Sequence, residues 1–423
     1  MPARELVVIG GGPAGLSAAI EAKKLGVEDV LVIDRESEPG GILKQCIHPG
    51  FGLHVFKEEL TGTEYAERQI TEARDLGVEI MLDTMVIELT ADRRILAVNS
   101  SDGLLELKAG AVILAMGCRE RTRGAINIPG YRPAGIFTAG VAQYFMNVEG
   151  YIPGREVVIL GSGDVGLIMA RHLALEGARV KSVVEIMPYP SGLIRNVVQC
   201  LQDFDIPLLL NHTVVDIHGR DRVEGVTIAE VDQQKKPKLD TARHIACDTL
   251  LLSIGLIPEN ELSRMARVEI DGITGGPVVD QNMQTSVEGI FACGNVLHVH
   301  DVVDWVTIEA RVAARGAAGF LRREKARRAS TVQVTAGEGL RYVLPQKIDL
   351  GGELEETQKF FMRSLRPMDR ARLLVRSDKG VVMSRTLRSV RPSEMISIKV
   401  KREILEQKGH LEISLHEGSE RGA

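Results

Sequence analysis

Leu6-Val-Val-Ile-Gly-Gly-Gly-Pro-Ala-Gly-Leu16 is the stretch on which the reading of this chain turns. Apolar residues run unbroken into glycines, and an apolar helical spacing (Leu16, Ala19, Ala22) follows. That is the pattern of a buried parallel strand, a tight turn and a helix. Gly10, Gly12 and Gly15 satisfy G-x-G-x-x-G, with Pro13 and Ala14 opening the helix. In such a motif the first glycine makes the turn, the second lets backbone approach a pyrophosphate, and the third lets helix and strand pack closely. The helix N-terminus supplies free N–H groups and positive potential for the phosphates. Asp34 ends the next apolar strand, Val30-Leu-Val-Ile-Asp34, 19 residues beyond Gly15. There a carboxylate accepts hydrogen bonds from ribose hydroxyls.

The pattern returns as Val157-Val-Ile-Leu-Gly-Ser-Gly-Asp-Val-Gly-Leu167, with an apolar helix face at Ile168, Leu173 and Ala174. Gly161, Gly163 and Gly166 carry the second motif, and Asp164 and Val165 open its helix. Glu185 closes Val180-Lys-Ser-Val-Val-Glu185 at the same 19-residue spacing. A carboxylate there favours a ribose diol and repels a 2′-phosphate. The following Ile186-Met-Pro-Tyr-Pro offers no arginine to such a phosphate. The second site is therefore read as taking NAD(H) in preference to NADP(H).

Each repeat is a right-handed βαβ crossover. The first domain continues through Ala111-Val-Ile-Leu-Ala-Met-Gly117, and the second closes with Thr249-Leu-Leu-Leu-Ser-Ile-Gly255. The chain then returns to Gly289-Ile-Phe-Ala-Cys-Gly-Asn295 and a helix from about Val303 to Arg323. The fold class is α/β: two Rossmann-like dinucleotide-binding domains, the second (123–254) inserted in the first (1–122 and 255–328). Beyond Thr331 short alternating runs, such as Lys359-Phe-Phe-Met-Arg363 and Arg372-Leu-Leu-Val-Arg376, predict a small all-β, sandwich-like domain over 331–423.

At 423 residues the chain exceeds one hydrophobic core. No apolar run reaches the ~18 residues of a membrane helix. The start leaves no room for a signal peptide, so the cytoplasm is expected. The net charge of −5 conceals an asymmetry. From Leu321 onward 22 Lys/Arg stand against 14 Asp/Glu, a net of +8, so the remainder carries −13. Much of it lies in Leu321-Arg-Arg-Glu-Lys-Ala-Arg-Arg, read as a helix end and solvated linker. Without interleaved aromatics it is not read as a nucleic-acid patch. The tail is expected to be either a docking module for an acidic partner or a lid that completes the fold.

Cysteines 46, 118, 200, 247 and 293 are far apart and form no CxxC, which predicts neither a disulfide framework nor a zinc site. Cys46 is solitary, and packing in the core is favoured over a redox role. His298 and His300, beside Asp301, lack a third local ligand, so no metal is expected. His48, His298 and His300 are the candidates for a protonatable group facing the bound cofactor.

Two dinucleotide sites in one chain imply electron transfer between nicotinamide and a bound carrier. Here the sequence resembles the pyridine nucleotide–disulfide oxidoreductase superfamily over residues 1 to about 328. Met116-Gly117 is similar to its Ala-Thr-Gly strand end, and Phe291-Ala-Cys-Gly-Asn295 to its flavin-binding Gly-Asp segment, with Asn295 in place of the Asp. The resemblance implies FAD on Gly10, Gly12, Pro13, Ala14, Gly15, Asp34, Arg35, Gly41, Val86, Ala115, Met116, Gly117, Gly294, Asn295, Val306 and Thr307. It implies NAD on Gly161, Gly163, Asp164, Val165, Gly166, Glu185 and Gly255. Relatives with a dithiol carry C-x4-C after the Gly-Gly that is Gly40-Gly41 here, or CxxC in the nicotinamide domain; this chain has neither.

The segments Gly40-Gly-Ile-Leu-Lys-Gln-Cys-Ile-His-Pro-Gly-Phe-Gly-Leu and Met116-Gly-Cys-Arg-Glu-Arg-Thr-Arg123 resemble a narrower group. These are bacterial FAD-dependent oxidoreductases found beside anaerobic-type glycerol-3-phosphate dehydrogenases and a small cysteine-containing protein. Flavin subunits of opine, sarcosine and cyanide-forming oxidases are more distant. That resemblance implies an NADH-linked electron-transfer subunit with a partner dehydrogenase subunit and a small redox protein, in a homo- or hetero-oligomer. A free-standing NADH oxidase or peroxidase using Cys46, and a non-catalytic NADH sensor, are the competing readings.

Overall fold

A computed structural model describes residues 3–322, 330–351, 354–406 and 409–418. The chain divides into two compact units, Arg119–Ile257 and the segments Met1–Cys118 with Pro258–Ala423.

In the discontinuous unit the strand Ala3–Ile9 pairs in parallel with Val30–Ile33 on one side and with Gly103–Leu114 on the other. Leu6, Val7 and Val8 are wholly buried, as an apolar run without alternation requires. Glu79–Met81 extends the sheet beyond Val30–Ile33, and Ile290–Ala292 adds to the far side of Gly103–Leu114. The long strand Gly103–Leu114 has two roles. Its first half also carries an antiparallel meander, Met85–Leu89 and Arg94–Asn99, while its second half completes the parallel core. The helix Pro13–Lys24 connects the first two strands, and Val303–Arg322 packs against it, with Thr307 bonded to Ser17 and Arg315 to Glu21. The helix Gly62–Asp75 starts in a capping box: Thr61 Oγ1 accepts from Glu64 N–H, and Glu64 accepts from Thr61 N–H. The helix end expected at Arg323 and the basic run over 323–328 lie outside the described residues.

Residues 331–417 form two sheets around their own apolar cluster. One has five strands, in the order Lys347–Asp349, Thr331–Ala336, His410–Glu417, Met368–Ser377, Gly380–Val390; the other has Leu340–Leu344, Thr357–Ser364 and Ile396–Lys401. The tail also packs against the first domain. Tyr342 and Leu344 belong to that domain's core, and Gln346 Oε1 accepts from Val279 N–H at 3.1 Å. Arg363 donates to the carbonyl of Val299 and to Asp301.

The unit Arg119–Ile257 has a five-stranded parallel sheet, in the order Ile136–Thr138, Thr249–Leu252, Glu156–Leu160, Arg179–Glu185, Leu208–Leu210. A three-stranded antiparallel sheet of His212–His218, Gly225–Glu230 and Arg243–Ala246 accompanies it. Among the described residues no helix is long and apolar enough to cross a membrane.

Candidate active site

The first glycine motif forms a cradle that side chains would fill. Gly10 has φ +110°, and a Cβ there would stand 2.4 Å from the carbonyl oxygen of Ala115. At Gly15 a Cβ would meet the Gly10 oxygen at 1.7 Å. Gly12 differs: the nearest atom to its position is the Cα of Gly41, 3.9 Å away. Gly41, at φ +55°, faces back, its own Cβ position 2.9 Å from Gly12 Cα. The Gly294 turn closes on the same point, with Ala14 Cβ 2.8 Å from where its side chain would start. Three glycine turns thus meet at the Pro13–Ala14 helix start, where no side chain caps the N–H groups. Free N–H donors in a side-chain-free cradle suit a dinucleotide pyrophosphate. The residues present therefore fit FAD.

Asp34 is nearly buried at its strand end. One oxygen accepts from Gly11 N–H at 2.5 Å and the other from Glu36 N–H at 3.0 Å, so this carboxylate also orders the glycine loop. Arg35 follows on the exposed side. Val86 lies buried in Met85–Leu89, opposite Ala97. Ala115, Met116 and Gly117 follow the end of Gly103–Leu114, Gly117 at φ +73°. Val306 and Thr307 are buried in the second turn of Val303–Arg322. Thr307 has its side-chain partners within the chain. Its hydroxyl is 2.7 Å from Tyr65 Oη and 3.1 Å from Ser17 Oγ, and Gln69 donates to it at 3.2 Å. The side chain is committed to an internal network.

In the other unit Gly161 has φ +91°, and a Cβ would come within 2.1 Å of the Ser253 oxygen. Ser253 Oγ accepts from Gly166 N–H at 3.1 Å and lies 2.9 Å from the Cβ position of Gly163. Val165 packs against the apolar cluster, and Gly255 has φ +101° with open space at its Cβ position. Asp164 accepts from Leu193 N–H and Asn196, joining the helix start to a later segment. Buried Glu185 is heavily used. Its Oε2 accepts from Ser162 N–H, Ser162 Oγ and Ser191 Oγ at 3.0, 2.5 and 2.5 Å, and its Oε1 from Met187 N–H at 2.9 Å. Four donors hold it in place.

The predicted acid–base residues separate. Cys46 Sγ donates to the Ile42 carbonyl at 3.4 Å, and its Cβ is 2.5 Å from the Cβ position of Gly62. Burial pushes this thiol up to about 12, the opposite of the depression a reactive thiolate needs. His48 Nδ1 lies 3.0 Å from the Pro49 oxygen, its ring against Phe51. His298 and His300, by contrast, come together with ring centroids 4.1 Å apart. A third donor joins them, which corrects the sequence reading that none exists: Glu309 Oε2 is 2.8 Å from His298 Nε2 and 3.4 Å from His300 Nε2. Burial, then the charge of His300, lowers His298 to about 4. Burial alone would raise the Glu309 carboxyl, but the two imidazoles outweigh it and hold it well below the usual carboxylate range.

Sequence reasoning missed Glu309, Tyr342 and Asp304. Asp304 is wholly buried and accepts from Gly52, His54 and Val55 N–H, fastening the loop after Cys46 to the helix. Glu309 carried a legible signal, an acid on the apolar stripe of Val306, Ala310 and Ala313. Such an acid is buried only with a partner. Tyr342 carried none.

The sequence model of the pyridine nucleotide-disulphide oxidoreductases matches residues 4–318. The chain is 28% identical over 288 residues to hydrogen cyanide synthase subunit HcnB of Pseudomonas aeruginosa, which takes in 62% of this chain and 59% of that one. It thus spans about three fifths of that relative's length. To thioredoxin reductase of Treponema pallidum it is 28% identical over 324 residues, covering 75% of this chain and 97% of that enzyme. The crystal structure of T. acidophilum thioredoxin reductase is similar in fold, with a TM-score of 0.62 at 23% identity over 75% of this chain and 99% of that one.

Proposed function

The chain belongs to the pyridine nucleotide-disulphide oxidoreductase family, whose members use FAD and NAD(P)H, and on that premise we propose that it is an NADH-linked electron-transfer subunit. FAD is held at the Gly10–Gly12–Gly15 cradle with Gly41 and Gly294, and NADH at Gly161–Gly163–Gly166 with Glu185. FAD, when bound, takes a hydride from reduced nicotinamide and passes the electrons onward. The observation that carries the proposal is the thiol inventory. All five cysteines are free, none forms a C-x-x-C or C-x4-C pair, and burial raises the thiols of Cys46 and of Cys293, which precedes Gly294. Electrons therefore leave the flavin by a route other than a dithiol, and a partner protein is the route that suits a chain similar to an oxidase subunit.

The partner we favour is a glycerol-3-phosphate dehydrogenase-type subunit with a small redox protein, on the resemblance of the Gly40–Leu53 and Met116–Arg123 segments. Affinity capture of the tagged chain from its native host tests this. Co-purification of a flavin-containing dehydrogenase, with glycerol 3-phosphate-dependent NAD reduction by the assembly, is expected. A chain recovered alone, oxidising NADH steadily with oxygen or peroxide and losing that turnover in Cys46→Ser, would support the free-standing oxidase instead.

A further inference from the structure

Behind the Gly294–Asn295 turn, the dinucleotide chemistry leaves one buried cluster unused. His298, His300 and Glu309 have side chains at most 1% exposed, and both Nε2 atoms face Glu309 Oε2. The proton inventory is informative. The backbone N–H of His300 can only donate, and it meets Asn295 Oδ1 at 3.0 Å, which identifies that atom as the amide oxygen. His300 Nδ1 lies 3.2 Å from the same oxygen, so Nδ1 carries the hydrogen. In neutral His300 the Nε2 is then a bare lone pair. It is buried with no hydrogen-bond partner, and it points at a carboxylate oxygen 3.4 Å away.

In His298 either ring nitrogen can carry the hydrogen, because the Tyr342 hydroxyl can both donate and accept. Its Nδ1 is 3.1 Å from the Tyr342 phenol, and its Nε2 is 2.8 Å from Glu309. The other Glu309 oxygen accepts from Gly294 N–H at 2.7 Å, which turns Oε2 towards both rings. Arg363, the nearby cation, is engaged with Asp301 and the Val299 carbonyl. Among the described residues Glu309 pairs with the two imidazoles and with no Lys or Arg. A buried carboxylate hydrogen-bonded to one imidazole and faced by the bare nitrogen of a second is a donor set that a positive charge between them would satisfy.

We propose that His298 Nε2, His300 Nε2 and Glu309 Oε2 bind a divalent transition-metal ion of the zinc or ferrous class. Two imidazoles and a carboxylate, with coordination positions to spare, are the donor set of His2Glu zinc sites and of ferrous facial triads. Ligand atoms around an ion at ~2.0–2.2 Å stand about 3 Å apart. The observed 2.8 and 3.4 Å bracket that spacing. Asn295 and Tyr342 occupy the places of the acceptors that orient metal-bound histidines through the other ring nitrogen. The ion joins the turn after Ile290–Ala292, the helix Val303–Arg322 and the strand Leu340–Leu344.

The test uses the untagged, FAD-loaded full chain. Elemental analysis, then titration of chelator-treated protein with Zn²⁺ and with Co²⁺, is expected to give one equivalent per chain. Visible Co²⁺ ligand-field bands should be displaced by Zn²⁺, and Zn²⁺ should raise the melting temperature. His300→Ala and Glu309→Gln should each abolish this binding event. Asn295→Ala should retain it with affinity lowered about 10- to 100-fold. If the buried variants do not fold, the wild-type titration and its Co²⁺ spectrum decide. No stoichiometric binding by the wild type, or binding indifferent to both substitutions, overturns the proposal. So does a nitrogen NMR spectrum showing His300 doubly protonated in metal-supplemented protein, which would make a proton the occupant.

Discussion

The phenol of Tyr342, on a strand of the C-terminal sheets, lies 3.1 Å from Nδ1 of His298 in the turn that precedes the helix Val303–Arg322. The contact bridges 44 residues of sequence and joins the tail to the cofactor-side turn. A chain ending before Thr331 should therefore be insoluble, or should emerge from gel filtration without flavin absorbance. It would lose Tyr342 and Leu344 from the first domain's core, and burying side chains of that size contributes roughly 1.5–3 kcal/mol each. A yellow, monodisperse truncated protein would show that the tail only docks.

Two glycines of one motif should fail differently. Gly15→Ala drives a methyl into the Gly10 carbonyl and should lower the melting temperature of the apoprotein. Gly12→Ala places its methyl in ordinary contact with Gly41 Cα, 3.9 Å away, and should leave the apoprotein folded. It should nevertheless abolish FAD retention, because the side chain occupies the pyrophosphate's approach. Circular dichroism and flavin absorbance on the same samples separate the two effects.

Stopped-flow bleaching of the flavin should be much faster with NADH than with NADPH. Glu185→Ala should narrow that preference by removing repulsion of a 2′-phosphate. The same change deprives Ser162, Ser191 and Met187 of their acceptor, and the buried Ser162 donors left unpaired cost roughly 1–3 kcal/mol each. Preference and stability should therefore fall together. Equal rates with both coenzymes in the unmodified protein would contradict the role given to Glu185.

Cys46 should alkylate slowly at neutral pH, with a rate that rises steadily with pH and levels off only above about 12. The linkage has a definite sign. Burial raises this thiol above its ordinary value of 9.0, so its contribution to stability is complete below pH 9 and is lost as pH rises through about 12. Cys46→Ser should keep NADH-dependent turnover. Mass-resolved iodoacetamide labelling across pH measures the first expectation, and steady-state assay the second.

What the sequence determined by itself is local. A strand that must be buried on both faces is spelled as an unbroken apolar run. A turn that must admit a pyrophosphate excludes a Cβ, and an acid at a fixed distance marks the next strand's end. Gly10, Gly15, Asp34, Gly161, Gly166 and Glu185 were readable because each requirement is met within one βαβ unit. The alternating runs beyond Thr331 were readable for the same reason. Only the tertiary structure decided the rest. It turned Thr307 inward to Ser17 and Tyr65, and it made the tail part of the first domain's core. It also brought Glu309 to the two histidines and Tyr342 behind them. Those partners meet through packing of a helix, a turn and a sheet that are not neighbours in the chain. Periodicity states which face of each element is buried, but the atom it meets there is fixed by how separate elements pack.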